Sequence, residues 1–311
     1  MKASDMLEDL QVSIERPLTK EAIDELICRS EDYLLRQAET VADAVKNSTG
    51  EVVVLVDGPS CAGKSGFAAL LANCLSKREV LSRVISLTSF LKNESEYRDE
   101  CKKRGLKVNY ALLEALYLDE LEECMSLIHQ GETALLPVYD RKWATRRELI
   151  PFTKREGQVL IIEGSGVNDG RIRSFLTADS RVISLKVDLL RAYCSNAGWF
   201  SSSDLRFARR FVRDGSLYGR GVERIYADLE LERMQARKSG GESEVSFDFT
   251  IDTTLGYEPL ILKNELHKIL GSVKSESRYY LSSTKFLSRL DTVPELDRSF
   301  LPEGSIYKTF I

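Results

Sequence analysis

Histidine is nearly missing from this 311-residue chain, which holds only His129 and His267. A histidine-based metal centre or a Ser–His–Asp triad is therefore all but excluded. Cysteines are few and scattered: Cys28, Cys61, Cys74, Cys101, Cys124 and Cys194 form no C-x-x-C pair. That spacing suits neither a zinc site nor a disulfide framework, and it reads as reduced thiols in a cytoplasmic protein. No apolar run approaches the ~20 residues that a membrane helix requires, and the N-terminus lacks a secretory-signal pattern. A net charge of −4 leaves no excess of one sign for nucleic acid or an acidic membrane. The guanine motif N-K-x-D is absent too, which weighs against a GTPase switch.

What is present is a phosphate loop. Gly58-Pro59-Ser60-Cys61-Ala62-Gly63-Lys64-Ser65 matches G-x-x-x-x-G-K-[ST]. It follows a β-branched run, Glu51 to Asp57, that reads as a buried strand, and it precedes Gly66 to Leu75 with helical apolar spacing. The chemistry needs this order: glycines let successive amides turn inward around a polyphosphate, and the helix start adds its positive dipole end. Gly58, Ser60, Ala62, Gly63, Lys64, Ser65 and Gly66 are thus the expected nucleotide cradle. Lys64 would reach the terminal phosphates and the Ser65 hydroxyl would ligate Mg²⁺. Cys61 inside the loop reads either as a small filler or as an oxidation-sensitive thiol.

Around the loop, strands alternate with helices. Thr19 to Ala44 and Tyr110 to Gln130 read as amphipathic helices. Val80 to Leu87, Ala134 to Pro137, Gln158 to Gly164 and Val182 to Val187 read as strands, with helices dominating from there to about residue 240. Ser239 to Ser243 reads as a flexible loop. The expected fold is an α/β doubly wound parallel sheet of the P-loop NTPase kinase type, with flanking helices and an Arg-rich helical lid. We expect a helical extension over 1–48, a kinase domain over 49–270 with its lid at about 204–240, and a packed C-terminal extension over 271–311.

Three further constellations narrow the chemistry. Glu163 closes a very apolar strand, where phosphate-loop proteins place a carboxylate for Mg²⁺. Arg206, Arg209, Arg210 and Arg213 share one helix face and precede Gly215, Gly219 and Gly221 around Tyr218 and Arg220. Such a stripe serves either as a lid that stabilises a transferring phosphoryl group or as a solvated face paired with Asp204 and Asp214. Pro137 to Arg146 reads as an acceptor loop, with rings to stack and Asp140 to accept hydroxyl hydrogen bonds, or as a polar loop without a duty.

These residues together resemble the uridine kinase/phosphoribulokinase family, and most closely its uridine kinase-like branch related to threonyl-tRNA synthetase accessory regions. Ile161-Ile162-Glu163-Gly164 resembles the family's Mg²⁺ strand, Pro137-Val138-Tyr139-Asp140 its acceptor segment, and Arg209 to Asp214 with Arg220-Gly221 its lid. Leu255-Gly256-Tyr257-Glu258 and Leu301 to Ile311 resemble its C-terminal stretches. The resemblance implies ATP and Mg²⁺ as cofactors and a small-molecule alcohol as substrate, and it leaves a homodimer open. It implies catalytic roles for Lys64, Asp140, Glu163, Arg209 and Arg213, with Arg210 and Arg220 on the nucleotide. Thr88, Asn109, Tyr139, Asp140 and Arg146 fall in the acceptor site. The family usually carries an Asp at the position of Thr88 and another at that of Asn109, so the acceptor half is rewritten while the phosphate half is kept. Asp140 or Asp57 is then the expected proton acceptor. The two readings are an ATP-dependent small-molecule kinase with an altered acceptor and a non-catalytic ATP-binding regulator on the same fold.

Overall fold

The computed structural model describes residues 11–14, 19–110, 112–195, 198–238 and 246–301, with 303, 305 and 307. Along the chain come strand β1 (Gln11–Ile14), helix α1 (Lys20–Lys46), β2 (Val52–Asp57), α2 (Lys64–Ser76), β3 (Ser82–Ser86) and α3 (Glu94–Lys103). There follow α4 (Leu118–His129), β4 (Thr133–Asp140), β5 (Thr145–Thr153), β6 (Val159–Glu163), the one-turn α5 (Gly170–Arg173) and β7 (Arg181–Asp188). The remainder holds β8 (Ala192–Ser195), β9 (Gly198–Phe200), α6 (Ser202–Val212), α7 (Val222–Lys238), β10 (Phe249–Asp252), α8 (Glu258–Leu270) and α9 (Tyr280–Leu290).

Five of the strands form one parallel sheet in the order β3-β6-β2-β7-β10. Alternation along each strand builds two cores. On β2, Val52, Val54 and Val56 face a core shared with α1, α2, α6 and α8, while Val53 and Leu55 face one shared with α4 and β4. On β6, Val159 and Ile161 take the first side and Leu160 and Ile162 the second. A strand buried on both faces reads as a continuous apolar run, which is why β2 and β6 are the most apolar segments of the chain. The sheet is therefore the doubly wound parallel one expected.

The other elements pack around it. Helix α1 starts at Thr19, whose hydroxyl accepts from the Ala22 amide at 3.2 Å, and it buries Leu34, Ala38, Val41 and Val45 on one stripe. Tyr226 of α7 stacks on Tyr279 at 4.3 Å between ring centres, and Phe286 of α9 lies 5.0 Å from Phe207 of α6. Among the described residues no helix is long and apolar enough to cross a membrane.

Three local expectations need correction. The helix expected from Tyr110 begins only at Leu118, because the chain before it pairs with the segment after β3. The Lys92 amide donates to the Ala115 carbonyl, and the Tyr117 amide to that of Phe90, both at 2.9 Å. The acceptor loop is the tip of an antiparallel hairpin, since β4 runs on to Asp140 and pairs with β5. Between β7 and α6 two short strands, β8 and β9, stand where helix was expected, and β8 pairs with β1, so the N-terminal extension is not wholly helical. The loop expected over Ser239 to Ser243 lies outside the described residues.

Candidate active site

At the carboxyl edge of the sheet, Val56 of β2 and Ser86 of β3 both lie in register with Glu163 of β6. The chain leaves β2 there and turns through the phosphate loop into α2. A Cβ on Gly58 would stand 2.0 Å from the Val187 carbonyl oxygen of β7, so only glycine fits without moving that strand. Gly63 has φ 93 and Cys61 φ 63, the left-handed conformations that turn successive amides into an anion-binding concavity. Thr253, just beyond β10, supports the loop from behind by donating its hydroxyl to the Ala62 carbonyl at 2.5 Å.

Lys64 donates its Nζ to the Pro59 carbonyl at 2.9 Å and to the Ser165 hydroxyl at 3.2 Å. Burial holds its ammonium below the usual lysine range, against the opposing charges of Glu163 and Asp57. The Ser65 hydroxyl donates to Glu163 Oε1 at 3.0 Å, and the Ser86 hydroxyl donates to the same oxygen. Ser65 and Glu163 thus offer two hard oxygens side by side, which fits Mg²⁺, an ion that keeps several waters and takes few protein ligands beside substrate phosphates.

Helix α6 closes one wall. It ends in a π-helical turn, Arg213–Leu217, that turns Asp214 into the interior. Asp214 meets Arg210 at 2.5 Å, Arg213 at 2.8 Å and Arg220 at 3.5 Å. Arg210 also donates to the Ser60 hydroxyl at 2.6 Å and pairs with Glu232 at 3.1 Å. Burial pushes the Asp214 carboxyl up, but Arg213 and Arg210 outweigh it and hold it below the usual carboxylate range. A depressed folded-state pKa gives stability that is full above the unfolded value and is lost as pH falls through the folded one. The stability gap between wild type and Asp214→Asn is therefore expected to be constant above pH 3.8, the unfolded value, and to close below it. Urea midpoints measured in steps from pH 6 to pH 2.5 check this, and a gap that widens on acidification refutes it.

The cleft, of about 320 Å³, runs from this loop to a second end lined by Thr88, Asn109, Tyr110, Tyr139 and Arg141 over apolar side chains such as Leu113 and Leu116. Thr88 lies in a 3₁₀ turn whose cap, Ser86, accepts the Thr88 amide at 3.3 Å. Burial pushes the Tyr139 phenol up. One hydroxyl, Ser86, thus joins the metal end to the acceptor end.

Sequence reasoning placed several residues here that lie elsewhere. Arg209 is wholly buried behind the loop, bonded to both Glu258 oxygens and to the Thr253 carbonyl, so it holds structure and faces no ligand. Asp140 turns from the cleft: its Oδ1 accepts the Lys142 and Trp143 amides at 2.9 and 3.0 Å, and Arg147 pairs with its other oxygen. Arg146 is clamped by Glu120 through two bonds of 2.7 and 2.5 Å and does not line the cleft. Asp57, the alternative proton acceptor, spends its carboxylate on the amides of Gly58, Gly166 and Asn168. The sequence reading missed Ser86, Tyr110, Arg141, Ser165, Asp228 and Glu232. Arg141 lay inside the segment read as the acceptor loop without being singled out, and Asp228 and Glu232 carried a signal as acids four apart on a helix following the Gly-rich segment.

The model of the phosphoribulokinase/uridine kinase family matches residues 53–239. Among solved structures, a candidate fructose transport system kinase from Silicibacter sp. TM1040 aligns with a TM-score of 0.50 at 18% identity, over 68% of this chain and 98% of its own. A candidate uridine kinase from Bacillus stearothermophilus aligns with a TM-score of 0.41 at 16% identity, over 70% and 99%. D-glycerate 3-kinase from Cryptococcus neoformans var. grubii aligns with a TM-score of 0.40 at 16% identity, over 68% and 82%. The first likeness shows the fold alone. No curated protein matches the chain significantly.

Proposed function

Because this chain belongs to the phosphoribulokinase/uridine kinase family, we propose that it transfers the γ-phosphoryl group of Mg²⁺–ATP to a hydroxyl of a small molecule. The observation that carries the reading is the shared Glu163 oxygen. Ser65 at the end of the phosphate loop and Ser86 at the start of the acceptor turn both donate to it. One carboxylate thus links the residues that would hold metal and nucleotide to the turn that would hold the acceptor. Such a transfer has a loose transition state, so positioning and charge stabilisation carry most of the rate.

In this reading Gly58, Ser60, Ala62, Gly63 and Gly66 shape the cradle, Lys64 would bind the terminal phosphates, and Ser65 with Glu163 would hold Mg²⁺, which would supply charge to the transferring phosphoryl group. Arg210, Arg213 and Arg220, gathered by Asp214, face the charge that develops on the phosphoryl group. Thr88, Asn109 and Tyr139 hold the acceptor. Asp228 takes the hydroxyl proton: burial pushes its carboxyl up, and its only cation within pairing distance among the described residues is Arg224 at 4.0 Å. In the same reading the kinase body spans 49–270 with a lid at about 204–240, and the protein works in the cytoplasm.

A non-catalytic, ATP-binding regulator is the second reading. It is favoured by the diversion of Asp140 and Asp57 into backbone hydrogen bonds. One experiment separates the two. Purified protein with Mg²⁺–ATP is screened for ADP release against nucleosides, sugars, sugar phosphates and hydroxy acids. The expected result is release that depends on one alcohol class, at about 1–100 s⁻¹ as in other kinases. Tight ATP binding with no release on any alcohol overturns the kinase reading.

A further inference from the structure

Every arginine drawn into this site from α6 or the segment after it has an acidic partner. Arg210, Arg213 and Arg220 share Asp214, and Arg210 also meets Glu232. At the hairpin tip Arg146 is held by Glu120 and Arg147 by Asp140. Arg141, which lines the acceptor end of the cleft, differs. Its Nη2 donates to the Thr88 hydroxyl at 2.7 Å, and no carboxylate among the described residues lies within pairing distance of it. A half-buried guanidinium holding only a neutral hydroxyl keeps most of its five donors for something else.

The tip that carries Arg141 is cross-braced by hydrogen bonds. Asp140 caps the turn through two backbone amides. Across the tip, the Asn93 carboxamide oxygen accepts the Arg146 amide at 2.9 Å and the Thr145 hydroxyl at 3.1 Å. The Glu94 amide donates to the Ala144 carbonyl at 3.0 Å. The guanidinium is therefore held over the cleft before any ligand arrives, which lowers the entropy lost on binding.

We propose that Arg141, steered by Thr88, reads a carboxylate or phosphate group on the acceptor, so that the alcohol this protein takes is an anionic one. The proposal rests on the kinase reading for the word acceptor, but its recognition chemistry does not. A planar guanidinium meets either anion through two parallel hydrogen bonds, and such charge-assisted pairs are the strong class. Tyr139 and the apolar floor would cover the carbon skeleton while the charged group lies at Arg141. In this scheme Thr88, besides lining the acceptor end, orients the guanidinium, and Asp140 is a positioning residue that fixes the turn.

The test compares charged and uncharged members of matched pairs, by calorimetric titration in the presence of Mg²⁺–ADP. D-Glycerate is set against glycerol and pantothenate against panthenol for the carboxylate arm, and D-ribose 5-phosphate against D-ribose for the phosphate arm. At least one charged member is expected to bind about ten- to hundred-fold tighter than its partner. Arg141→Gln is expected to reduce that preference to within about two-fold while leaving ATP affinity unchanged, and Arg141→Lys to restore part of it. A panel in which no charged member outbinds its counterpart overturns the proposal. So does a preference that survives Arg141→Gln, or a variant whose loss falls on ATP, which would put the guanidinium on the nucleotide. Parallel ADP-release assays keep the two ideas apart. Charge-selective binding without turnover upholds Arg141 and rejects the kinase reading, whereas turnover favouring the uncharged members does the reverse.

Discussion

Replacing Lys64 by methionine is expected to weaken Mg²⁺–ATP binding by at least about ten-fold and to lower kcat/KM by about 10²–10³-fold, while thermal stability holds or rises. The two halves have one cause. Lys64 places its ammonium where burial disfavours charge, and the depressed pKa means that the charged form is worth less in the folded chain than in water. The Pro59 carbonyl and the Ser165 hydroxyl hold it there, with no carboxylate of the described residues within pairing distance. That cost is recovered only when phosphate arrives. Methionine keeps the apolar stem and removes the charge, so the empty protein is relieved and the complex is lost. Calorimetric titration with ATP and a thermal melt of the same sample check both halves. Unchanged ATP affinity would reject the phosphate-loop assignment, and a large drop in melting temperature would show that Lys64 serves the fold instead.

Much of this was readable in the chain because it is local. The phosphate loop is contiguous, with its strand and helix on either side, and each part has its own period and composition. Glu163 was readable because the strand that carries it is buried on both faces and the first polar residue at its end must point to the sheet edge. What was not readable depends on partners far along the sequence. Arg209 and Arg210 stand next to each other in one stripe, yet Glu258, 49 residues later, draws the first into the interior while Ser60 and Asp214 draw the second to the cleft. Asp140 has the composition of a base and is consumed by the amides that follow it, a habit of Asp at turns that the sequence reading passed over. Arg141 stands in a basic run with Lys142, Arg146 and Arg147, and only its place on the cleft, bonded to Thr88 with no carboxylate of the described residues in pairing distance, sets it apart. The helix expected from Tyr110 failed because pairing across the 87–92 segment outweighed local periodicity.

The same buried pair yields the other large effect. Arg209 and Glu258 are both 0% exposed, and the guanidinium donates to both carboxylate oxygens, to the Thr253 carbonyl at 2.7 Å and to the Cys61 carbonyl at 3.4 Å. A guanidinium keeps its proton in proteins, so Glu258 is carried as the carboxylate although burial opposes its ionisation. Glu258→Gln leaves that cation buried without its counter-charge and is expected to cost about 3–5 kcal/mol of stability. The double change Arg209→Met with Glu258→Leu removes both desolvation costs and is expected to recover most of that loss, because apolar replacement of a buried pair is often neutral. Recovery of stability should not restore function. Without Arg209 the Cys61 carbonyl and Thr253 lose the group that ties the phosphate loop to the start of α8, and the strained turn at Cys61 is left with less to hold it. The double variant is therefore expected to unfold at nearly the wild-type urea midpoint yet bind ATP more weakly than wild type. A single variant as stable as wild type would mean that the buried guanidinium tolerates the loss of its counter-charge. A double variant with wild-type ATP affinity would mean that the loop keeps its shape without support from behind.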